Sequence, residues 1–168
     1  EDFDHPLIIK VASIQPARMQ VYFIDNEDFF QRKAILTDKK GHEFEDNDKR
    51  AIFFARGVIE TVKKLCWSPD IVHCHGWFSS IVPLYLKKSY SDDPLFSDLK
   101  IVYSIYDNEF ENPLDAAFAK RVLFDGVSEK DVDIVKEPSY ENLSKMAVNM
   151  SDAVIFGSEK LNKEVTSY

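Results

Sequence analysis

Hydrophobic positions along this chain follow two patterns that alternate. Short apolar runs rich in β-branched and aromatic residues predict strands, whereas longer segments with apolar residues every three or four positions predict helices. Two such runs, Leu7–Ile14 and Met19–Ile24, flank the stretch Gln15–Arg18 and predict a hairpin. From Asp25 to Asp48 no period is recognisable. This stretch is predicted to be a loop, of a length that is usually functional or mobile.

The strongest helical pattern follows this loop. Apolar residues recur at three- and four-residue steps from Ala51 to Leu65. Asp46, Asn47 and Asp48 precede them, and their side chains suit a helix N-terminus. The pattern predicts an amphipathic helix with one face in the core.

Strand and helix patterns then alternate to the end of the chain, which is typical of a mostly parallel sheet with helices on both faces. The length of 168 residues fits one domain. We therefore predict the α/β class and a single domain over residues 1–168. The predicted strands are Ile71–His75, Lys100–Ile105 and Ala153–Phe156, and the predicted helices are Trp77–Lys88, Ala116–Phe124, Glu129–Val135, Tyr140–Met150 and a last one capped by Ser158.

Composition and charge argue against several classes of protein. The formal charge is −8, so the chain has no basic field for nucleic acid or an anionic membrane surface. No run of about 18 apolar residues predicts a membrane span. Two cysteines are too few for a disulfide scaffold, and a cytoplasmic setting is expected. The chain starts at Glu1 and stops inside a helical pattern, so we expect a fragment of a longer protein.

The richest chemistry lies where the strand Ile71–His75 ends. Ligands of open parallel sheets bind beyond the carboxyl ends of the strands. His73 and His75 are two residues apart and face the same side of a strand, whereas Cys74 faces the other. A third metal ligand at suitable spacing is lacking, so we predict no metal and favour hydrogen-bonding roles. His73 is predicted to be a satisfied core residue and His75 to be functional.

Neighbouring residues leave alternatives open. Gly76 allows the backbone to turn closely past a ligand, and Trp77 is either a wall for a sugar or base or a core residue. Asp46 and Asn47 are either site residues or a solvated helix cap. Both cysteines are predicted to be buried small hydrophobes. With no glycine-rich phosphate loop and no Ser-His-Asp ordering in the sequence, no cofactor is predicted.

Several groups of residues, in matching order and spacing, resemble the N-terminal domain of bacterial glycogen and starch synthases. The resemblance covers most of the chain and implies a Rossmann-like domain, one half of a two-domain GT-B glycosyltransferase. Such enzymes are retaining glucosyltransferases that move glucose from ADP-glucose or UDP-glucose to an α-1,4-glucan. A nucleotide-glucose donor and a glucan acceptor are therefore the implied partners. The groups are Tyr22–Asn26 with Phe30 and Arg32, Asp46–Asn47 with Arg50 and Phe53–Phe54, Pro69–Trp77 with Pro83–Leu84, and more weakly Lys100–Ile105 and Asp152–Ser158.

The resemblance also implies site residues. His75 matches the second histidine of the family's His-x-His-Asp-Trp run, which reaches the donor sugar. Asp46 matches the aspartate of its Asp-Asn-x-x-Arg-Phe run, and both are expected to be catalytic. The expected substrate-binding residues are Trp77, Gly76, Asn47 and Tyr106.

The chain also departs from the family pattern. Gly76 stands where the family usually has aspartate, Phe78 replaces a polar residue, and Ser104 to Asp107 replace a Thr-Ile-His-Asn run. The family's N-terminal glycine-rich loop and its C-terminal domain are absent from this sequence. We therefore expect the isolated chain to be inactive, and association into a homo-oligomer through an unpaired strand edge is an open alternative.

Two other functions remain open at this point. The first is a noncatalytic glucan-binding or regulatory protein on the same domain, which the changes at Gly76, Phe78 and Tyr106 favour. The second is an unrelated α/β nucleotide-binding module in which the His-Cys-His strand is coincidental. A reading frame that stops early after Tyr168 would favour the first, and tight nucleotide binding without a response to malto-oligosaccharides would favour the second.

Overall fold

The structure is a computed structural model that describes residues 5–168. Its internal contacts divide the chain into two compact units, one ending at Phe44 and the other running from Glu45 to Tyr168.

The first unit is built on the predicted hairpin. Strands β1 (Ile8–Ile14) and β2 (Met19–Asp25) pair antiparallel. A short 3-10 turn joins them, and Arg18 closes it in the left-handed conformation with φ +50°.

The predicted loop after β2 contains one short helix, α1 (Glu27–Phe30). The side-chain oxygen of Asn26 accepts hydrogen bonds from the backbone N–H groups of Asp28 and Phe29, at 3.0 and 3.1 Å. This is an ordinary N-cap with acidic residues in the first turn, a signal that the search for hydrophobic periods missed.

The second unit holds a parallel sheet with the order β3-β4-β5, and this confirms the α/β class. The predicted strands of this sheet agree with the structure. So do the long helix after Asp46 and the helix that begins at Tyr140, each to within one residue. The elements of this unit are α2 (Asn47–Lys64), β3 (Ile71–His75), α3 (Ile81–Lys88), β4 (Lys100–Ile105), α4 (Phe118–Val122), α5 (Tyr140–Asn149), β5 (Ala153–Phe156) and α6 (Lys163–Thr166).

The two faces of this sheet differ. On one face Cys74 of β3 and Ile101, Tyr103 and Ile105 of β4 are buried, and α5 packs on β4. The other face carries side chains that alternate with these, and Ile71 of β3 is 62% exposed there. At β3 the first of these faces is therefore covered and the second uncovered, whereas at β4 Ser104 is buried on the second face and at β5 Phe156 is 62% exposed on the first.

Three local predictions were wrong. The segment Glu129–Val135 forms no α-helix, and a 3-10 turn at Asp133–Lys136 takes its place. The last helix is capped by Asn162 rather than Ser158, because the Asn162 side chain accepts from the N–H groups of the first turn. Cys66 is exposed, since it lies past the end of α2 with φ +50°.

Candidate functional site

The ends of the three parallel strands meet at one edge of the sheet. His75 at the end of β3 pairs with Ser104 of β4, and Ile105 pairs with Phe156 at the end of β5. Tyr106, which follows Ile105, lies beside His75, and Gly157, which follows Phe156, lies against the Tyr106 ring. This edge of the sheet is the one where ligands of such folds bind.

The two histidines of β3 face the same side, as the spacing predicts. Their rings lie 3.9 Å apart between centroids. The prediction that His73 is a core residue was wrong, since its side chain is exposed. It lies on the uncovered face, where its Nε2 is 2.7 Å from the hydroxyl oxygen of the buried Ser104.

His75 is the residue of this pair that lies at the end of β3. Its Nδ1 is 2.8 Å from the hydroxyl of Tyr106, which is half-buried. Partial burial lowers the pKa of His75 below its ordinary value, and the nearby His73 lowers it further. The imidazole is therefore neutral at pH 7 and has one nitrogen that donates and one that accepts.

Gly76 turns the chain directly after His75. Its φ of +68° is in the region that favours glycine. A Cβ at this position would lie 2.8 Å from the side-chain nitrogen of Asn108, so this exposed side chain would have to move. The aspartate that the family usually has here would strain the turn because of the positive φ.

A second contact holds the end of β4 against the end of β5. The Ser158 hydroxyl donates to the Asp107 carboxylate at 2.8 Å, and the Asp107 backbone N–H donates to the Ser158 hydroxyl oxygen at 3.3 Å. Ser158 thus joins two strand ends, whereas the last helix begins only at Lys163.

Trp77 lies in the core rather than at the surface. It is 2% exposed, and its ring packs edge-on against Phe110 and Phe78, with centroids 4.8 and 5.4 Å away. Of the two alternatives for this residue, the structure shows the core tryptophan. Its ring has no exposed face to offer a sugar.

The start of α2 lies near the same strand end through a different set of contacts. Arg50 and Phe54 lie against the Phe78 ring, each about 5.7 Å from its centroid. Asn47 is buried, and its side-chain oxygen accepts from Arg50 at 2.6 Å. Asp46 is the N-cap residue, but its side chain makes no capping hydrogen bond. Asn47 therefore orders the helix start, and Asp46 is the half-buried residue of this pair.

The chemistry of this strand end suits sugar hydroxyls. A neutral imidazole, a phenol and backbone polar groups offer uncharged donors and acceptors here, and the Asp107 carboxylate is a further acceptor. Among residues 5–168 no group of three or more histidine, cysteine or acidic side chains is arranged to hold a metal ion. In the same part of the chain, no helix is long and apolar enough to cross a membrane.

Sequence reasoning placed Asn108 and Gly157 at candidate strand ends but gave no role to them or to Ser104. Ser104 interrupts an apolar strand, and this signal marks it as facing something polar. The strand register needed to place it opposite His75 comes only from the fold. Asn108 and Gly157 act through close packing, for which the sequence has no pattern.

Comparison with known proteins identifies the family of this chain. The family described as "Starch synthase catalytic domain" matches residues 2–168. The glycogen synthase of Chlorobium luteolum is 37% identical over 123 residues, which are 73% of this chain and 25% of that protein. The glycogen synthase of Chlorobaculum parvum is 30% identical over 166 residues, which are 96% of this chain and 33% of that protein.

A solved structure shows the same fold. It is the catalytic domain of Starch Synthase IV from Arabidopsis thaliana bound to ADP and acarbose, with a TM-score of 0.66 and 21% identity. The likeness covers 87% of this chain and 29% of that one. Matches to curated relatives span only 21% to 33% of their length.

Proposed function

We propose, since the chain belongs to the starch synthase catalytic domain family, that it supplies a sugar-binding strand end to a glucosyltransferase. The reaction moves glucose from a nucleotide-glucose donor to an α-1,4-glucan. Because the chain matches a third or less of its relatives' length, the complete activity requires parts outside this sequence.

The observation that carries the proposal is the exposed, neutral His75 at the end of β3. It lies at the ligand-binding edge of the sheet, in a segment that matches the family, and its imidazole is bonded to Tyr106 at one nitrogen only among the described residues. The other nitrogen is left for a sugar hydroxyl.

The roles we propose for the site residues rest on the family resemblance, and their positions in the fold support them. His75 contacts the glucose unit and stabilises charge as the glycosidic bond opens. Asp46 is the second catalytic candidate, at the start of α2. Gly76 and Tyr106 shape the substrate side, whereas Trp77 and Asn47 support it from the core.

The donor we infer is ADP-glucose. The relatives are named glycogen synthases, and the solved Arabidopsis structure is bound to ADP. The acceptor is an α-1,4-glucan, and a cytoplasmic setting fits both partners.

Calorimetric titration of maltoheptaose into the chain tests this proposal. We expect weak binding that falls about tenfold in His75→Ala, the effect of one lost hydrogen bond. His42→Ala is the matched control, since His42 is also exposed but lies in the other unit. Equal binding by wild type and His75→Ala would contradict the proposed site.

A noncatalytic glucan-binding role is the second candidate, and one observation favours it. Phe78 stands where the family has a polar residue, and it packs between Phe54 and Trp77. Assays of glucose incorporation and glucan binding on the natural protein that contains this chain distinguish the two functions. Glucose incorporation from ADP-glucose that is lost in His75→Ala supports the enzyme, and glucan binding without incorporation supports the binding protein.

A further inference from the structure

We propose that Tyr106 and Gly157 are positioning residues that hold His75 as the neutral tautomer with its proton on Nε2. The Tyr106 hydroxyl donates to Nδ1, so that the Nε2–H group is the one presented to a sugar oxygen. Only the statement that a sugar oxygen accepts from Nε2–H rests on the proposed function.

The contact between Tyr106 and His75 has the geometry of a hydrogen bond. The hydroxyl oxygen is 2.8 Å from Nδ1, and the two rings are nearly parallel, with an angle of 22° between their planes. A phenol is a stronger donor than an alcohol, and the unprotonated nitrogen of an imidazole is a good acceptor. With the phenol donating, Nδ1 carries no proton and the proton of the neutral ring is on Nε2.

The surroundings of His75 keep the ring neutral, as this arrangement requires. Burial lowers the pKa of His75, and the neighbouring His73 lowers it further. His73 itself is bonded to Ser104 through Nε2, with its ring 3.9 Å from that of His75. A second proton on His75 would make Nδ1 a donor, so that the Tyr106 hydroxyl would have to accept rather than donate, and it would place a positive charge beside His73.

Tyr106 is held in place from the other side. Its backbone carbonyl accepts a hydrogen bond of 2.6 Å from the hydroxyl of Tyr140, a buried residue of α5. The helix packed on the covered face of the sheet therefore fixes the residue that bonds to His75.

Gly157 provides the space for the Tyr106 ring. A Cβ at residue 157 would lie 2.5, 2.8 and 2.9 Å from three ring carbons, closer than real Cβ contacts. The φ of Gly157 is outside the left-handed region, and its N–H donates to the carbonyl of Ile105 at 2.8 Å. Alanine could adopt the backbone conformation of residue 157, but its Cβ would overlap the Tyr106 ring. Glycine is therefore needed here for space rather than for conformation.

The tautomer is measured directly by long-range proton–nitrogen NMR spectra of the chain's four imidazoles. In the wild type we expect His75 to show a protonated Nε2 and an unprotonated, hydrogen-bonded Nδ1. Tyr106→Phe removes the hydroxyl, and the Nδ1 signal is expected to lose the shift that a hydrogen bond causes. Tyr168→Phe removes an exposed hydroxyl that bonds to Asn149, and it serves as the matched control without effect on His75.

Gly157→Ala separates positioning from general stability. We expect it to change the His75 signals in the wild-type background and to have no further effect in Tyr106→Ala, where the ring that it meets is gone. An Nδ1-protonated His75 in the wild type, or His75 signals unchanged by Tyr106→Phe, would overturn the proposal.

Sugar binding is the second readout. Maltoheptaose is expected to bind Tyr106→Phe about two- to tenfold more weakly than wild type, as one hydrogen bond predicts. The expected tautomer in a chain that binds no sugar supports the positioning and counts against the proposed function. Sugar binding that needs His75 but not the Tyr106 hydroxyl overturns the positioning alone.

Discussion

The two faces of the β3-β4-β5 sheet show how one strand serves stability and chemistry at once. Cys74 is buried on the face that packs against helices, whereas His73 and His75 on either side of it are exposed on the other face. Successive side chains of a strand point to opposite faces, so neighbours in sequence meet different surroundings. The covered face stabilises the sheet, and the uncovered face is free to carry polar groups to the strand end.

Thiol reactivity measures the largest difference between the faces. Burial raises the pKa of Cys74 to about 12, so it reacts only through opening of the fold. In a Cys66→Gly background, which suits the φ of +50° there, His73→Cys adds a thiol one residue away on the uncovered face. We expect that thiol to react with a disulfide reagent at least about 1,000-fold faster than Cys74, since global opening costs roughly 5 kcal/mol or more. Similar rates for the two thiols would show that the covered face is open.

An isoleucine-to-alanine substitution on each face compares how much the two faces contribute to the free energy of unfolding. Ile101 is 1% exposed on the covered face and Ile71 is 62% exposed on the other. Ile101→Ala is expected to lower the free energy of unfolding by about 2–5 kcal/mol, and Ile71→Ala by no more than about 0.5 kcal/mol. Urea unfolding followed by the fluorescence of buried Trp77 measures both. Equal losses would contradict the difference between the faces.

Loss of the hydrogen bond between Ser104 and His73 is expected to lower the free energy of unfolding less than loss of a buried isoleucine side chain. Ser104→Ala removes the partner of an exposed imidazole that water can replace, so we expect a loss of about 0.5–1.5 kcal/mol in unfolding free energy. Ser97→Ala, at an exposed serine outside the sheet, is the control and is expected to be nearly neutral. A Ser104→Ala variant as stable as the control would mean that the bond adds nothing.

The smallest expected effect is the pH dependence of stability. Because the pKa of His75 in the fold is below its ordinary value of 6.5, the unfolded chain binds more protons between these two values. The stability from neutral His75 is complete above the unfolded pKa and is lost as the pH falls toward the folded one. His75→Gln is expected to flatten the dependence of the urea midpoint on pH between 7 and about 5. If the urea midpoint of His75→Gln still depends on pH as in the wild type, groups other than His75 cause this dependence.

Much of the covered face was predictable from the sequence. Apolar runs predicted all three strands of the sheet, and the three-and-four spacing predicted α2, because burial imposes these periods on a sequence. The prediction of His75 as a functional residue came from its place at a strand end.

Contacts made by close packing could not be predicted. The bond from Tyr106 to His75 depends on the register of β3 against β4, and the need for Gly157 depends on where the Tyr106 ring lies. Trp77 and Asn47 match the family motif, yet both are buried, since a motif does not distinguish a residue that contacts substrate from one that supports the site. His73 was misplaced because the sequence does not show which face of the sheet is covered.

The central claim is that the uncovered face and its strand ends bind sugar. Titration of maltoheptaose into the wild-type chain, followed by NMR, tests it residue by residue. We predict signal changes at His75, Tyr106 and the residues after β5, with the amides of Cys74 and Tyr103 unaffected. Changes confined to other parts of the chain, or none at saturating sugar, would contradict this account.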